Sequence, residues 1–288
     1  LMGRSNMKSG GLSHPTTGRS LKNFLAMALG VLASTCSGAA QAADPVLTFN
    51  TQEFAPFSYL VDGTVSGPAT EIIRLACTKM KATCSFALLP WKRAQAEVQA
   101  GTVNGMYVIG WNKGRAGWVH FSPPLMKTEY GFFTGAGKTL DYRNLKDVAG
   151  MTVSVYGPSN TSKSLEALQA RMKQEGIDPI KIDMRPDDEA GFRKLVLGRA
   201  DAVFSNRDVG FALAAKLGAK DKVRYAGKVR ELNYYAGFSA AHNDAESLKR
   251  FDAALTEVVA SGEVKKILDQ YNMLPADAKL IPANFNKR

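Results

Sequence analysis

The sequence has few of the residues on which catalytic and metal sites depend. It contains three histidines and three cysteines in 288 residues, of which His120, His242, Cys77 and Cys84 lie beyond position 42. If the two cysteines pair with each other, only two histidines remain, too few for a zinc site with four such ligands. It has no G-x-S-x-G, H-E-x-x-H or helix-opening G-x-G-x-x-G motif. "GAGKT" (135–139) resembles the end of a phosphate loop, but Phe132 stands where that loop needs its first glycine. We therefore expect no metal and no cofactor, and binding chemistry in place of catalysis.

Acidic residues are absent from the first 42 positions. The basic residues there are Arg4, Lys8, Arg19 and Lys22. The apolar run "FLAMALGVLAST" follows, too short to span a bilayer, and small residues then end in Ala40-Gln41-Ala42. This order is typical of a secretory signal peptide with an A-x-A cleavage site, so we expect residues 1–42 to be removed on export. A lipoprotein signal ending at Cys36 fits less well, because Thr35 is a poor residue before a lipidated cysteine.

The remaining sequence has no further long apolar run, so we expect an exported, soluble protein. Loss of the four basic residues of the leader would reduce the net charge from +11 to about +7. Most of the excess lies in 216–230, where the charges are interleaved with apolar residues and no nucleic-acid-binding motif accompanies them. This pattern favours a solvated face and no nucleic-acid partner.

Cysteine is restricted to two positions beyond the leader, Cys77 and Cys84 in "CTKMKATC". Two thiols seven positions apart in an exported protein, at a predicted turn from helix to strand, indicate a disulfide bond.

Short β-branched or aromatic runs alternate with helical patterns from Val46 onwards. "VLTFN", "CSFALL" and "GMYVIG" are typical of strands, whereas "GPATEIIRLACTKM" places its apolar residues at helical spacing. The alternation begins again at "MTVSVY" and continues to "DVGFALAAKLG". Two successive β-α-β-α-β blocks predict an α/β protein with two sheets, hence two lobes.

Two extended stretches, 129–137 and 232–240, follow the first and second blocks, and two helical patterns close the chain. If both stretches connect the lobes, the closing helices return to the first lobe. This arrangement predicts two hinge strands and a ligand cleft between the lobes.

Candidate ligand contacts follow the carboxyl ends of predicted strands, where α/β proteins bind ligands. Phe54 follows the first strand, Trp91 the second, and Asn206 ends a strand of the second block. "GPSNTS" (157–162) offers the free N–H groups of a helix N-terminus, together with hydroxyls, to an anion. The same residues also suit a simple N-cap, so this segment alone does not distinguish an anion-binding site from a helix cap.

Arg115 stands in a short glycine-flanked loop, "NKGRAGWVHFSPP" (112–124), with Trp111 and Trp118 close by. A lone arginine is most often a solvated surface charge. The loop by itself leaves that interpretation and a ligand-binding role open.

Four segments, taken in order, carry a resemblance that covers nearly the whole chain beyond the leader: "FAPFSYLVDGTVSG", "CTKMKATC", "GRAGWVHFSPPL" and "LVLGRADAVFSN". Their order and spacing resemble the bacterial periplasmic solute-binding proteins of family 3, the amino-acid-binding receptors of ABC importers. The resemblance implies a two-lobed type II fold. We expect lobe 1 to comprise 43–130 and 234–276, lobe 2 to comprise 131–233, and a tail to follow at 277–288.

The resemblance further implies that Arg115 grips a ligand carboxylate, since a guanidinium offers a permanently charged bidentate fork. It implies that Phe54 stacks on the ligand and that the second lobe supplies hydrogen bonds. The full set of candidate contacts is Phe54, Trp91, Trp111, Arg115, Ser159, Asn160, Thr161 and Asn206. A periplasmic monomer that docks on an ABC permease is the expected partner arrangement.

The sequence departs from the family pattern at two places. Amino-acid binders usually carry an acid for the ligand's α-ammonium where this chain has Asn206, and an amide cannot neutralise a cation. The serines expected before the arginine are replaced by Val108, Ile109 and Gly110. These departures favour a carboxylate ligand that lacks a free α-ammonium, or one with an aromatic or apolar body.

Two alternatives remain on the same scaffold. A few family members are dehydratases of cyclohexadienyl acids, and such an enzyme needs a positioned acid, for which Glu53 or Asp208 could serve. The protein could also be the binding subunit of a sensor.

Overall fold

The computed structural model describes residues 45–283 and 285, so the predicted signal peptide lies outside the described residues. The strands are β1 (Val46–Thr51), β2 (Tyr59–Val61), β3 (Thr64–Ser66), β4 (Thr83–Leu88), β5 (Gly105–Gly110), β6 (Val119–Gly135), β7 (Thr152–Tyr156), β8 (Lys181–Arg185), β9 (Ala202–Asn206) and β10 (Val223–Ser239). The helices are α1 (Pro68–Lys79), α2 (Trp91–Gln99), α3 (Lys113–Ala116), α4 (Asn160–Gln174), α5 (Asp188–Val196), α6 (Arg207–Lys216), α7 (Ala245–Ala260) and α8 (Glu263–Gln270). Within this part of the chain, no helix combines the length and apolarity that crossing a membrane requires.

The main strands form one eight-stranded sheet in the order β4-β1-β5-β10-β6-β9-β7-β8. β4, β1 and β5 are parallel to one another, as are β9, β7 and β8. β6 and β10 pair antiparallel from Val119 opposite Ser239 to Gly135 opposite Val223, so they run through both groups. We call the β4-β1-β5 side the first half and the β9-β7-β8 side the second half.

The sequence predicted two sheets joined by two extended stretches, and the structure joins them into one. The stretches at 129–137 and 232–240 are parts of β6 and β10, each 17 residues long. Short apolar runs predict short strands because charged residues interrupt the pattern. In β10 the charged side chains between Arg224 and Glu231 are half-buried or exposed, and the strand continues through them. The α/β class is confirmed, as is the arrangement of two halves through which two long strands run.

The main hydrophobic core contains residues of both halves. In the first half Phe49 is 1% exposed, and its ring centroid lies 5.4 Å from that of Phe238 and 5.9 Å from that of Phe251. The same cluster of buried residues includes Phe204 of the second half. The rings of Phe133 and Phe192, 5.1 Å apart, belong to a smaller cluster within the second half.

The predicted disulfide between Cys77 and Cys84 is present and links the end of α1 to β4. Closing so short a loop is expected to stabilise the fold by roughly 2–3 kcal/mol, since the crosslink restricts the unfolded chain. Reduction of the purified protein should therefore lower its Tm and leave its ligand specificity unchanged.

The matched control is the double variant Cys77→Ala/Cys84→Ala, whose Tm the reductant should not change. Differential scanning calorimetry with and without reductant measures the effect. Two free thiols in a titration of the native exported protein would contradict the prediction.

Candidate functional site

Arg115 lies at the carboxyl end of β5, on the short helix α3. Asn112 caps this helix, its side chain accepting a hydrogen bond of 2.8 Å from the Arg115 backbone N–H. Only 7% of Arg115 is exposed, so the arginine is buried and the solvated-surface interpretation is excluded for this conformation.

The buried guanidinium of Arg115 has no carboxylate partner among the described residues. Nη1 donates to the Gly110 carbonyl at 2.6 Å and Nη2 to Gln95 Oε1 at 3.3 Å, while Nε is buried without a hydrogen bond. The guanidinium carbon lies 5.5 Å from the centre of the Trp91 ring. Burial lowers the pKa of Arg115 to about 10. A buried cation without a counter-charge is costly, so this position suits an anion.

The N-terminus of α4 faces Arg115 from the second half. Ser159 is the N-cap of this helix, and its hydroxyl accepts bonds of 3.1 Å from the N–H groups of Thr161 and Ser162 and donates to the Tyr156 carbonyl at 2.8 Å. The hydroxyl of Ser159 therefore serves the helix cap first.

Asn160 connects the two halves. Its Oδ1 accepts from Asn112 Nδ2 at 3.0 Å, and its Nδ2 donates to the Gly110 carbonyl at 3.3 Å. Gly110 has a clear role here, since a Cβ at this position would stand 2.8 Å from Asn160 Nδ2. The glycine that replaces a family serine thus leaves room for Asn160.

The cavity between the halves has two compartments. The narrow compartment has a volume of about 40 Å³. It is lined by Arg115, by the end of β5 with Ile109 and Gly110, and by the start of α4 with Thr161. The wide compartment, about 680 Å³, lies between the 52–60 loop and the 186–190 turn at the start of α5. Gln52, Phe54 and Tyr156 line both compartments, so the two adjoin.

The wide compartment is acidic. Its lining includes two bases, Arg193 and Lys216, and a larger number of acids, namely Glu53, Asp187, Asp188 and Glu189. Asp187 caps α5 by accepting from the Ala190 N–H at 2.7 Å, and Asp188 accepts from Ser205 Oγ at 2.6 Å. Burial is the main cause that raises the pKa of Asp188, to about 6, and the neighbouring Asp187 adds to it.

The structure brings six of the eight predicted contacts to the narrow compartment. They are Phe54, Trp91, Arg115, Ser159, Asn160 and Thr161. Trp111 lies on a separate cavity of about 160 Å³ beside Arg230. Asn206 is buried behind Tyr234, and it does not line the narrow compartment.

Asn206 has its hydrogen-bonding capacity occupied. Its Oδ1 accepts from the N–H groups of Asp208 and Val209 at 2.9 and 3.1 Å, which caps α6. Its Nδ2 donates to Thr128 Oγ1 at 2.8 Å and to the Tyr234 hydroxyl at 3.1 Å. Asn206 therefore positions Tyr234, which is itself in the cavity wall.

Sequence reasoning missed three tyrosines and one glutamine of this wall. They are Tyr130, Tyr156, Tyr234 and Gln52. Tyr156 and Gln52 could have been found, because each stands at or just beyond the carboxyl end of a strand. Tyr130 and Tyr234 lie inside the long strands β6 and β10, where the sequence does not tell which face meets the ligand cavity.

Comparison with known families finds one that matches most of the chain. The profile of the bacterial extracellular solute-binding proteins, family 3, matches residues 47–273. The L-glutamate/L-aspartate-binding protein of Pseudomonas aeruginosa is 28% identical over 148 residues, which are 51% of this chain and 47% of that protein. The aligned part thus spans about half the length of this curated relative.

Solved structures share the fold. An ancestral arginine-binding protein bound to arginine superposes with a TM-score of 0.67 at 20% identity, over 80% of this chain and 99% of that one. A structure from work on glutathione import through GshT and the cystine ABC importer TcyBC of Streptococcus mutans reaches a TM-score of 0.70 at 17% identity, over 82% of this chain and 99% of that one. At these identities the likeness concerns the fold alone.

Proposed function

The chain belongs to the bacterial extracellular solute-binding proteins, family 3, and on this basis we propose that it is the periplasmic receptor of an ABC importer. In this proposal residues 1–42 direct export. Lobe 1 (43–130 with 234–276) and lobe 2 (131–233) close around a small carboxylate-bearing metabolite, and the closed form docks on the permease.

One observation carries the ligand class. Arg115 is a buried cation with a free Nε, no carboxylate partner among the described residues, and a place on the wall of the cavity between the halves. A ligand carboxylate would supply the missing charge in a site that excludes water, where such a pair is stronger than on the surface.

The narrow compartment fits this assignment in size. Its volume of about 40 Å³ exceeds the roughly 10–15 Å³ that a single water needs by the same kind of measure. It therefore has room for a carboxylate group, while the body of the ligand would extend into the wide compartment.

The dehydratase alternative needs a positioned acid that reaches the leaving hydroxyl, which lies across the ring from the carbon that bears the carboxylate. No carboxylate is among the residues that line the narrow compartment. Asp208 accepts from Thr128 Oγ1 at 2.8 Å and lies beyond Asn206, whereas Glu53 lines only the wide compartment. Glu53 therefore remains a candidate acid for this alternative, and turnover of prephenate or arogenate by the purified protein would favour the enzyme over the receptor.

A thermal-shift screen tests the proposed function. The panel consists of L-amino acids, dicarboxylates and ω-substituted carboxylates, each paired with its primary amide. At least one carboxylate should raise the Tm with increasing concentration, by the amount that mass action sets, about 2.7 kcal/mol of added stability at 100 times Kd. Its amide should have little effect. The proposal would be contradicted if no carboxylate of the panel raised the Tm, or if each amide raised it as much as its carboxylate did.

A further inference from the structure

The two compartments of the cavity differ in charge. Arg115 lines the narrow compartment. Together with Lys163 it also lines a third space of about 350 Å³, which shares Trp91, Ser159 and Asn160 with the narrow compartment. No carboxylate lines either space among the described residues. The wide compartment is lined by four acids, against two bases, Arg193 and Lys216, so its lining carries an excess of negative charge; the acids are Glu53, Asp187, Asp188 and Glu189. The cavity is therefore cationic at one end and anionic at the other.

The negative charge of the wide compartment is only partly neutralised by the protein. Glu189 pairs with Arg193 at 2.5 Å and with Lys216 at 2.7 Å. Among the described residues no cation lies within ion-pair distance of Glu53, Asp187 or Asp188. These three carboxylates therefore have no cationic partner in the protein, although Asp187 accepts from the Ala190 N–H and Asp188 from Ser205 Oγ.

A second observation at the other end of the same cavity points to a ligand. Arg115 is 7% exposed and its buried Nε has no hydrogen bond. The residues Gln52, Phe54 and Tyr156 line both compartments, so one elongated molecule can meet the arginine and the acids together.

Among the described residues that line the narrow compartment, none carries a carboxylate for an ammonium next to the ligand carboxylate. The position that carries an acid in amino-acid binders holds Asn206, whose Oδ1 already accepts two backbone N–H groups. A cation bound near Arg115 would also meet the repulsion of the guanidinium. The free acids lie instead at the start of α5, in the wide compartment.

We propose that the ligand is an elongated zwitterion, with a carboxylate that binds Arg115 and a cationic group, separated from it by an aliphatic chain, that binds Asp187 and Asp188. This inference rests on the proposed function and specifies its ligand class. The volume of about 680 Å³ lies within the 300–1,000 Å³ range of small-molecule sites and accommodates such a chain and its terminal group.

Isothermal titration calorimetry of the exported protein tests the cationic group. The probes are the ω-guanidino carboxylates of four, five and six carbons, each matched with its neutral ω-ureido isostere. In at least one pair the guanidino compound should bind 10-fold or more tightly than the ureido compound. The double variant Asp187→Asn/Asp188→Asn should remove most of that advantage, and the control Asp221→Asn, an exposed acid outside the cavity, should retain it.

The double variant is designed to fold. Asparagine serves as an N-cap as well as aspartate does, and its Oδ1 can accept from Ser205 as Asp188 does. A Tm within a few degrees of the parent protein checks this point. If the double variant fails to fold, the single variant Asp188→Asn gives the same comparison.

A second arm compares L-arginine with 5-guanidinopentanoate, which lacks only the α-ammonium. We expect L-arginine to bind no more tightly. The inference is overturned if no pair binds, if guanidino and ureido partners bind equally, if the double variant keeps the full advantage, or if L-arginine binds 10-fold more tightly. Carboxylates of the thermal-shift panel that still bind would then show that the inference alone has failed; loss of all carboxylate binding would show that the proposed function has failed as well.

Discussion

Arg115→Ala should weaken ligand binding by roughly 2–5 kcal/mol, the range found for truncating one side of a desolvated charge pair. At about 1.4 kcal/mol per tenfold change this corresponds to roughly 30- to 4,000-fold in Kd. The physical reason is that the ligand carboxylate would enter a site without water and without its cation. Calorimetric titration with the most strongly stabilising carboxylate of the panel measures the change.

Arg93→Ala is the matched control for this prediction. Arg93 is an exposed arginine of α2 that pairs with Glu97 at 2.8 Å, and exposed pairs contribute about 0–1 kcal/mol. Its replacement should leave Kd within a factor of about two. An Arg115→Ala protein with the affinity of the parent would remove Arg115 from the site.

Phe49→Ala should reduce the free energy of unfolding by about 3–5 kcal/mol, the usual cost of deleting a buried phenylalanine ring. Phe49 is 1% exposed, and its ring lies 5.4 Å from that of Phe238 and 6.0 Å from that of Phe86. The substitution leaves a cavity beside β1, the strand that contains Phe49 and leads to Phe54.

Urea unfolding followed by fluorescence measures the effect of Phe49→Ala. The control is Leu197→Ala, since Leu197 is 64% exposed and surface changes usually stay within about 0.5 kcal/mol. A loss below about 1 kcal/mol for Phe49→Ala would show that the aromatic cluster is not the core that the packing indicates.

The sequence predicted the order of the main elements well because strands and helices of the α/β blocks have contrasting periods. "GMYVIG" corresponds to β5 residue for residue, and the predicted helix in 67–80 is α1. It missed the β2–β3 hairpin and the helix α3, which span only three or four residues each. Such short elements depend on tertiary contacts more than on local pattern.

The sequence predicted the family and six residues of the narrow compartment, but it could not supply the geometry of the rest. Asn206 was selected by its place at a strand end, yet its side chain caps α6 and lies behind Tyr234. The role of Asn160 as a bridge between the halves depends on the missing Cβ of Gly110, a relation between residues 50 positions apart. The acidic wall arises where α5 and the 52–60 loop meet, and no local pattern indicates that meeting.

Native mass spectrometry of the protein, purified without denaturation, tests most directly whether the cavity contains an anion bound by Arg115. The parent protein should carry a co-purified small molecule whose fragments include a carboxylate, and Arg115→Ala should be recovered largely empty. The same adduct at the same occupancy in both proteins would mean that Arg115 does not bind the co-purified anion.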